Sequence, residues 1–389
     1  MKTKISLLGS TGSIGKSTLD IISKKKSFFI INTFSALSNY KKICFQIKKY
    51  KPKNFIISNY KIYEKVKKKF KNNKVSIFND YSKLPKNVLI NDITVSAIPG
   101  LAGLEPTIEF TKKSKKILLA NKESVICGWN LLKKIAKNSK TKIIPIDSEH
   151  FSIYQLAKNH KDNEIKNIFI TASGGPFLNT PKKLFRFIKP AQAIKHPKWK
   201  MGKKISIDSA TLMNKILELI EAYKIFPFNF NKYKILIHPQ SLVHAIVQFN
   251  NGMTKFLYHE PDMKIPISNA IFNNSSNISN FIEKKKEEKQ IQNLDFLNVN
   301  KNRFPVIKLI PKLNKFISTP IIINAANEIL IDQFIKKKIS YNSISNYIFE
   351  VLRDKNYKKY AIRSPINLKT IYSIDMWARL TAVKIINKK

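Results

Sequence analysis

Short apolar runs alternate with amphipathic helical stretches along the first 150 residues. Seven such runs, four to seven residues long, lie at 5–8, 28–34, 55–58, 75–78, 93–98, 116–120 and 143–146. Runs of this length, separated by helical patterns, are typical of strands that helices cover on both faces. The first part of the chain is therefore predicted to form a doubly wound, Rossmann-like parallel sheet of the α/β class.

The pattern changes after residue 150. Strands are predicted at 165–170, 204–207, 233–238, 242–249 and 254–258, with a hairpin turn at 250–252 between the last two. Helical periodicity follows at 321–335, 343–352 and 374–386. These patterns predict a first domain at 1–147, a central α+β domain at 148–272 with a lid loop at about 173–203, a linker at 273–299 and a C-terminal all-α domain at 300–389.

Composition favours a cytoplasmic protein with a substantial core. A chain of 389 residues is long enough for two or three domains. No apolar run reaches membrane-spanning length, and the apolar part of the N-terminus is too short for a signal peptide. Cys44 and Cys127 are the only cysteines, which indicates a reducing compartment and no disulfide framework.

The formal net charge is +46, but its make-up argues against nucleic acid as a partner. Only five of the 71 basic residues are Arg, the residue type preferred for reading phosphates and base edges, and no nucleic-acid motif accompanies them. Lys is spread along the whole chain together with abundant Asn and Ile, as AT-rich codons would give. A field of this sign attracts phosphorylated small molecules.

The chain has only ten glycines, and three of them follow the first strand as Gly9, Gly12 and Gly15. A strand, a glycine-rich turn and a helix start form the dinucleotide-binding arrangement, in which backbone N–H groups point at a pyrophosphate. A purely structural turn is the alternative. The second strand ends without an Asp or Glu for a ribose hydroxyl, whereas Lys41 and Lys42 follow it, which favours NADP over NAD.

Carboxylates follow the apolar run 143–146 directly, as Asp147 and Glu149. In an open α/β sheet this strand end faces the ligand crevice, where two neighbouring carboxylates repel unless a cation lies between them. Alternatively, Asp147 or Ser148 only caps the next helix. Lys122, at the end of the preceding strand, is a candidate active-site cation or only a salt-bridge partner.

A second candidate cluster lies on a helix predicted from about residue 210. Asn214 and Glu218 are four residues apart and share one face of this helix. Ser209, Asn214 and Lys215 suit a phosphate, and Glu218 is a possible third carboxylate for the pair at 147 and 149. The alternative is a solvated charged face.

The histidines of the central domain are interpreted as structural. His238, His244 and His259 lack the tight spacing of zinc ligands. In the predicted lid, Trp199 and Met201 form either a flap over a ligand or an anchor to the core.

Together these segments resemble the 1-deoxy-D-xylulose 5-phosphate reductoisomerase family. The matching segments are 9–15, 119–124, 147–150, 173–177, 196–199, 201–206, 208–211, 213–215, Glu218, 237–241, 260–263 and 324–328. The resemblance implies metal ligation by Asp147, Glu149 and Glu218. It implies contacts to NADPH from Thr11, Gly12, Ser13, Ile14, Asn39, Asn121, Glu123 and Gly202. It implies substrate contacts from Lys122, Ser148, Glu149, Ser173, His196, Ser209, Asn214, Lys215 and Glu218, with Lys122, His196 and the three metal ligands as catalytic residues.

The resemblance also implies a reaction. A Mg²⁺ or Mn²⁺ ion, which prefers oxygen ligands, would help rearrange 1-deoxy-D-xylulose 5-phosphate, and NADPH would reduce the product to 2-C-methyl-D-erythritol 4-phosphate for isoprenoid biosynthesis. A homodimer is implied as well. A non-redox, metal-dependent sugar-phosphate isomerase or aldolase is the alternative.

Two positions depart from the family pattern. Leu37-Ser38-Asn39 replaces the usual Gly-Lys/Arg-Asn after the second strand, so we hypothesise that Lys41 or Lys42 contacts the 2′-phosphate instead. Ile216 replaces a Gly one turn from the phosphate site, on a side of the predicted helix that faces away from Asn214 and Glu218.

Overall fold

The structure is a computed structural model that describes residues 2–85, 90–199, 201–275, 277–282 and 293–388.

Seven parallel strands form the first sheet. The strands are β1 (Thr3–Leu8), β2 (Phe29–Ala36), β3 (Asn54–Ile57), β4 (Ser76–Phe78), β5 (Asn91–Ser96), β6 (Ser114–Leu119) and β7 (Lys142–Pro145). Their order across the sheet is β4-β3-β2-β1-β5-β6-β7, which confirms the predicted Rossmann-like topology.

A second sheet has five strands of mixed direction. They are β8 (Ile165–Ala172), β9 (Tyr233–Ile237), β10 (Val243–Phe249), β11 (Thr254–Tyr258) and β12 (Leu297–Asn298), in the order β11-β10-β8-β9-β12. β8 and β9 are parallel, while β10 runs antiparallel to both β8 and β11. The predicted hairpin at 250–252 is confirmed, and Gly252 adopts a φ of +88° in its turn.

The described residues form fourteen α-helices. They are α1 (Ser13–Lys24), α2 (Tyr40–Tyr50), α3 (Tyr60–Lys69), α4 (Leu104–Thr111), α5 (Lys122–Asn138), α6 (Ser148–Ala157), α7 (Pro190–Ala193), α8 (Lys203–Ala210), α9 (Met213–Ile225), α10 (Lys264–Phe272), α11 (Thr319–Ile335), α12 (Tyr341–Val351), α13 (Tyr357–Ala361) and α14 (Leu368–Asn387). The helical character predicted for the C-terminal part is confirmed. None of the helices in the described ranges combines the length and the apolar character that crossing a membrane requires.

The chain divides into two compact units. As far as their residues are described, unit 1 comprises Met1–Ser124, Leu132–Phe151 and Met263–Lys289, and unit 2 comprises Val125–Leu131, Ser152–Asp262 and Gln290–Lys389. The first sheet lies in unit 1 and the second in unit 2. Residues 283–292, the middle of the predicted linker, lie outside the described residues.

Helix α10 belongs to unit 1 although it follows the second sheet in sequence. The ammonium group of Lys116 on β6 donates to the Ala270 carbonyl at 3.1 Å and to the Asn273 side chain at 2.8 Å. The ring of Phe272 packs against Phe28, with ring centroids 5.3 Å apart. These contacts join segments more than 150 residues apart, and α10 thereby covers part of the first sheet.

One predicted strand is wrong. Residues 204–207, whose Ile-Ser-Ile alternation resembles a strand, form part of helix α8. Inside unit 2 this helix is held by tertiary contacts: the Asn327 side chain of α11 donates to the buried Asp208 carboxylate at 2.7 Å, and Tyr341 donates to the Ala210 carbonyl at 2.5 Å. A three-residue alternation is too short to outweigh such contacts.

Candidate active site residues in the two units

The glycine loop joins β1 to α1 in unit 1. The backbone N–H groups of Gly9 and Ser10 donate to the Ser35 carbonyl at 3.1 and 2.8 Å, which fixes the loop against the end of β2. A Cβ atom on Gly15 would lie 2.5 Å from the Gly9 carbonyl oxygen, so this position excludes any side chain. Within the described residues no side chain caps α1 at Gly12, which leaves the first N–H groups of the helix available to an anion.

Thr11, Gly12, Ser13 and Ile14, the predicted nucleotide contacts, all lie on this loop or at the start of α1. Thr11 and Ile14 are partly exposed, and Gly12 and Ser13 are exposed. Asn39 follows β2 and caps α2, since its side-chain oxygen accepts from the Lys42 N–H at 3.1 Å. The predicted strand–loop–helix arrangement is confirmed.

Asn121 organises the loop after β6. Its side-chain nitrogen donates to the Ile98 carbonyl at 2.6 Å and to the Glu123 carboxylate at 2.9 Å, and its oxygen caps α5 by accepting from the Ser124 N–H at 2.7 Å. Asn121 and Glu123 are buried. Both predicted nucleotide contacts therefore belong to one network that ties the end of β5 to the start of α5.

The Asp147 segment stands where β7 passes into α6. Lys122, the first residue of α5, forms a salt bridge with the Asp147 carboxylate, and the His150 Nδ1 lies 3.8 Å from that carboxylate. The Ser148 hydroxyl donates to the Glu149 carboxylate at 2.7 Å, and both residues are buried. Asp147 directly precedes α6, as the capping alternative expects, and its salt bridge with Lys122 is the contact that the salt-bridge alternative for Lys122 expects.

Helix α9 of unit 2 carries a buried charged face. Glu218 is only 1% exposed, and its two carboxylate oxygens accept separately, one from Asn214 and the other from Lys215 at 2.7 Å. Glu221, one turn further along, is also buried. The alternative of a solvated charged face is therefore wrong. Ile216, the departure from the family pattern, is completely buried.

Two consecutive glycines follow β8 and bring three segments of unit 2 together. Gly174 and Gly175 both have positive φ, and a Cβ atom on Gly175 would lie 2.8 Å from the Ser209 carbonyl oxygen at the end of α8. Before them, the Ser173 hydroxyl lies 3.0 Å from the His196 Nε2. Ser173, His196 and the Ser209 segment are thus neighbours within unit 2.

The contacts of His196 define its tautomer. Its Nδ1 accepts from the backbone N–H of Trp199 at 2.9 Å, so the proton of the neutral ring is on Nε2 and points at the Ser173 oxygen. That oxygen also accepts from the Gly175 N–H at 3.1 Å, which leaves the Ser173 hydroxyl proton to be donated to a ligand.

Other residues of the predicted lid have simpler surroundings. Trp199 packs edge-on against His244 of β10, with ring centroids 5.9 Å apart, as an anchor to the core does. Gly202 is exposed and immediately precedes α8. Lys200 lies outside the described residues.

The central histidines make contacts of a structural kind. His238 Nε2 accepts from the Leu242 N–H at 3.2 Å, so Nδ1 donates to the Asp295 carbonyl at 2.8 Å. Burial lowers the pKa of His238, and the carbonyl contact opposes that shift. His244 and His259 stack with centroids 4.0 Å apart. In the described part of the chain, none of the three joins a cluster of three possible metal ligands.

Gln46 was not predicted as a residue that shapes the nucleotide loop. It is buried on α2 and exchanges two hydrogen bonds with Ser10, accepting from the hydroxyl at 2.6 Å and donating to the carbonyl at 3.0 Å. The sequence does contain a sign of this role, because Gln46 is a polar residue on the apolar face of α2, between the buried Ile43 and Ile47. A polar group in such a place requires a buried partner.

The fold and the glycine loop of unit 1 define a Rossmann-like α/β protein. Three family models match the chain: 1-deoxy-D-xylulose 5-phosphate reductoisomerase at 5–128, its C-terminal domain at 143–226, and a further DXP reductoisomerase C-terminal domain at 259–381. The chain belongs to the 1-deoxy-D-xylulose 5-phosphate reductoisomerase family.

Relatives of that name match over nearly their full length. The protein from Pelagibacter ubique (strain HTCC1062) is 44% identical over 97% of this chain and 98% of the relative. A solved structure of DOX-P reductoisomerase in complex with NADPH, fosmidomycin and magnesium has a TM-score of 0.91 and 33% identity, covering 99% of this chain and 98% of that one. The enzyme from Zymomonas mobilis in complex with NADPH has a TM-score of 0.88 and 32% identity, covering 99% of each chain.

Proposed function

We propose that this protein is an NADP-dependent reductoisomerase that converts 1-deoxy-D-xylulose 5-phosphate to 2-C-methyl-D-erythritol 4-phosphate, an isoprenoid precursor. The observation that carries this proposal is the 44% identity with a relative of that name over 97% of the chain. The relative is named a reductoisomerase, an enzyme that reduces its substrate as well as rearranging it, so the alternative of a non-redox isomerase or aldolase is not favoured. The buried carboxylates and the open glycine loop support the same activity.

NADPH fits the glycine loop, because the start of α1 offers N–H groups that no described side chain caps. We propose that Thr11, Gly12, Ser13 and Ile14 hold the pyrophosphate and that Asn39, Asn121, Glu123 and Gly202 complete the nucleotide site. When bound, NADPH supplies the hydride that reduces the rearranged aldehyde. The Asn121 network keeps the loop after β5 in place beside this site.

The divalent ion is assigned to Asp147, Glu149 and Glu218. All three offer carboxylate oxygens, the donor type that Mg²⁺ and Mn²⁺ prefer over Zn²⁺. Such an ion supplies Lewis acidity toward the carbonyl and hydroxyl oxygens of the substrate. Lys122 forms a salt bridge with Asp147, and Lys215 forms one with Glu218, so in this structure an ammonium group already lies beside two of the three carboxylates.

The substrate is assigned to polar groups around the Gly174-Gly175 turn and the start of α9. We propose that Ser173, Ser209, Asn214 and Lys215 bind the phosphate, with His196 beside Ser173. Lys122, Ser148, Glu149 and Glu218 would contact the reacting end of the sugar. The loop at about 173–203 with Trp199 is proposed to close over the substrate and keep water from the intermediate.

The remaining assignments are coarser. We propose that residues 1–147 bind NADPH, that 148–272 carry catalysis, that 273–299 form a linker and that 300–389 form a helical domain. We also propose a cytoplasmic homodimer that accepts Mn²⁺ as well as Mg²⁺.

The test is oxidation of NADPH by the purified protein in the presence of deoxyxylulose phosphate, with and without Mg²⁺ or Mn²⁺. Activity that requires the ion supports the proposal, and metal-dependent isomerisation without NADPH oxidation contradicts it. Glu149→Gln should abolish turnover, by at least about 1,000-fold, because it removes a charged metal ligand. NADPH binding to this variant should be unchanged, and normal Mg²⁺-dependent activity would remove the metal assignment.

A further inference from the structure

Helix α2 is fastened to the glycine loop by the Gln46–Ser10 pair. Both residues are buried, and two hydrogen bonds of 2.6 and 3.0 Å join them. Lys42 is four residues before Gln46 and therefore on the same face of the helix. The pair thus fixes the position of Lys42 over the loop, and the Lys42 ammonium group lies 3.4 Å from the Thr11 carbonyl oxygen.

A second lysine joins Lys42 at this place. Lys16, in the first turn of α1, makes a side-chain contact with Lys42. Partial burial, followed by this neighbouring ammonium group, lowers the pKa of Lys42. Within the described ranges neither lysine has a carboxylate partner. Two cations held together in this way form a site that a multiply charged anion would stabilise.

The fold identifies the anion. In Rossmann-like sheets, the end of the second strand faces the ribose of the nucleotide, and a cation near that point accommodates a 2′-phosphate. Here β2 ends at Ala36 without a carboxylate, and Ser35 is bonded to the glycine loop. Leu37 and Ser38, at the positions where the family pattern has Gly and Lys or Arg, are exposed and bring no cation.

We propose that Lys42, assisted by Lys16, binds the 2′-phosphate of NADPH and gives this chain its preference for NADPH over NADH. This inference rests on the proposed use of a nicotinamide nucleotide but not on the identity of the substrate. Lys41 is the alternative that the sequence leaves open. It is exposed on α2, and no contact joins it to the loop within the described residues, so it serves as the matched control.

The experiment titrates NADPH and NADH into the protein without substrate or metal and follows the fluorescence of the bound dihydronicotinamide. Lys42→Ala should weaken NADPH binding about 10-fold to 50-fold, as the loss of a charge-assisted hydrogen bond does, and should change NADH binding less than about 2-fold. Lys16→Ala should weaken NADPH binding by about 3-fold to 10-fold. Lys41→Ala should change neither the NADPH affinity nor the NADH affinity. Lys42→Arg should retain the preference for NADPH over NADH.

The outcomes separate this proposal from the proposed function. An unchanged NADPH-to-NADH affinity ratio in Lys42→Ala overturns the role of Lys42, even if the enzyme turns over normally. An equal loss for both nucleotides also overturns it, since Lys42 would then only support the loop. Selective loss of NADPH binding supports it, even in a protein that fails to convert deoxyxylulose phosphate.

Discussion

The glycine loop of unit 1 and the charged face of α9 in unit 2 are stabilised by different kinds of contact. In the loop the shape depends on close approaches between backbone atoms, and Gly15 lies so near Gly9 that no side chain fits. On α9 the contacts are between buried side chains whose charges and hydrogen bonds compensate one another. The loop should therefore be sensitive to added volume, whereas the helix face should be sensitive to changes of charge.

The largest expected effect comes from adding one methyl group to the loop. Gly15→Ala should lower the free energy of unfolding by about 3 kcal/mol, because the new Cβ would meet backbone atoms that cannot move away independently. NADPH affinity should fall by at least about 100-fold, since the start of α1 is displaced. Chemical denaturation and nucleotide titration measure the two effects.

Gly12→Ala is the control for stability. The nearest atom to its Cβ, the Gly9 carbonyl oxygen, would be 3.5 Å away, and its φ of −75° suits any residue. Its free energy of unfolding should change by less than about 0.5 kcal/mol. Equal destabilisation by the two substitutions would show that close packing at Gly15 is not what sets the shape of the loop.

The second prediction concerns the charges on α9. With metal ions removed, Lys215→Met and Glu218→Gln should each lower the free energy of unfolding by about 3 kcal/mol, because each leaves its partner charged and buried. The free energy of unfolding that the double variant loses should be about 2 kcal/mol smaller than the sum of the losses in the two single variants. Denaturant unfolding of all four proteins completes the cycle, and strict additivity would contradict the pairing.

A smaller effect distinguishes the two ends of α9. Lys224 near its C-terminus donates to the Ile126 carbonyl at 2.9 Å and has no carboxylate partner among the described residues. Burial lowers the pKa of Lys224 to about 8. In the unfolded chain Lys224 binds its proton more tightly than in the folded protein, so its charge lowers the free energy of unfolding at neutral pH. This loss of stability diminishes as the pH rises from about 8 toward 10.5, the ordinary pKa of a lysine.

Lys224→Met should accordingly raise the free energy of unfolding at about pH 7 by about 1–2 kcal/mol, after the lost hydrogen bond to Ile126 is counted. The difference between variant and parent should shrink as the pH is raised to about 10. Lys232→Met, which removes an ion pair with the half-exposed Asp162, is the control with no expected gain. A gain at Lys224 that does not depend on pH would contradict the role of its charge.

The first sheet was predictable because most of its strands are largely buried and appear in the sequence as short apolar runs. The glycine loop was predictable for a related reason: the turn needs residues without a Cβ, and Gly15 marks that need directly. In both places a local physical requirement selects the residue type. The positions of these elements could therefore be derived from neighbouring residues alone.

Other features depend on partners far away in the sequence. Residues 204–207 alternate like a strand, but contacts of Asp208 and Ala210 with helices more than 100 residues later make them helical. No local pattern indicates that α10 returns to the first sheet, since its contacts are with Lys116 and Phe28. The burial of Glu218 was likewise hidden, because a helix with Asn, Lys and Glu looks the same in sequence whether it faces water or the core.

The support of α8 by Asn327 and Tyr341 has a consequence for the gene as well as for the protein. A premature stop codon shortly after residue 300 would leave every proposed ligand of substrate, nucleotide and metal encoded. It would nevertheless remove the helices that hold the segment carrying Ser209. Such a truncated product should behave as a complete loss of function, and the last quarter of the reading frame should tolerate truncation no better than the first.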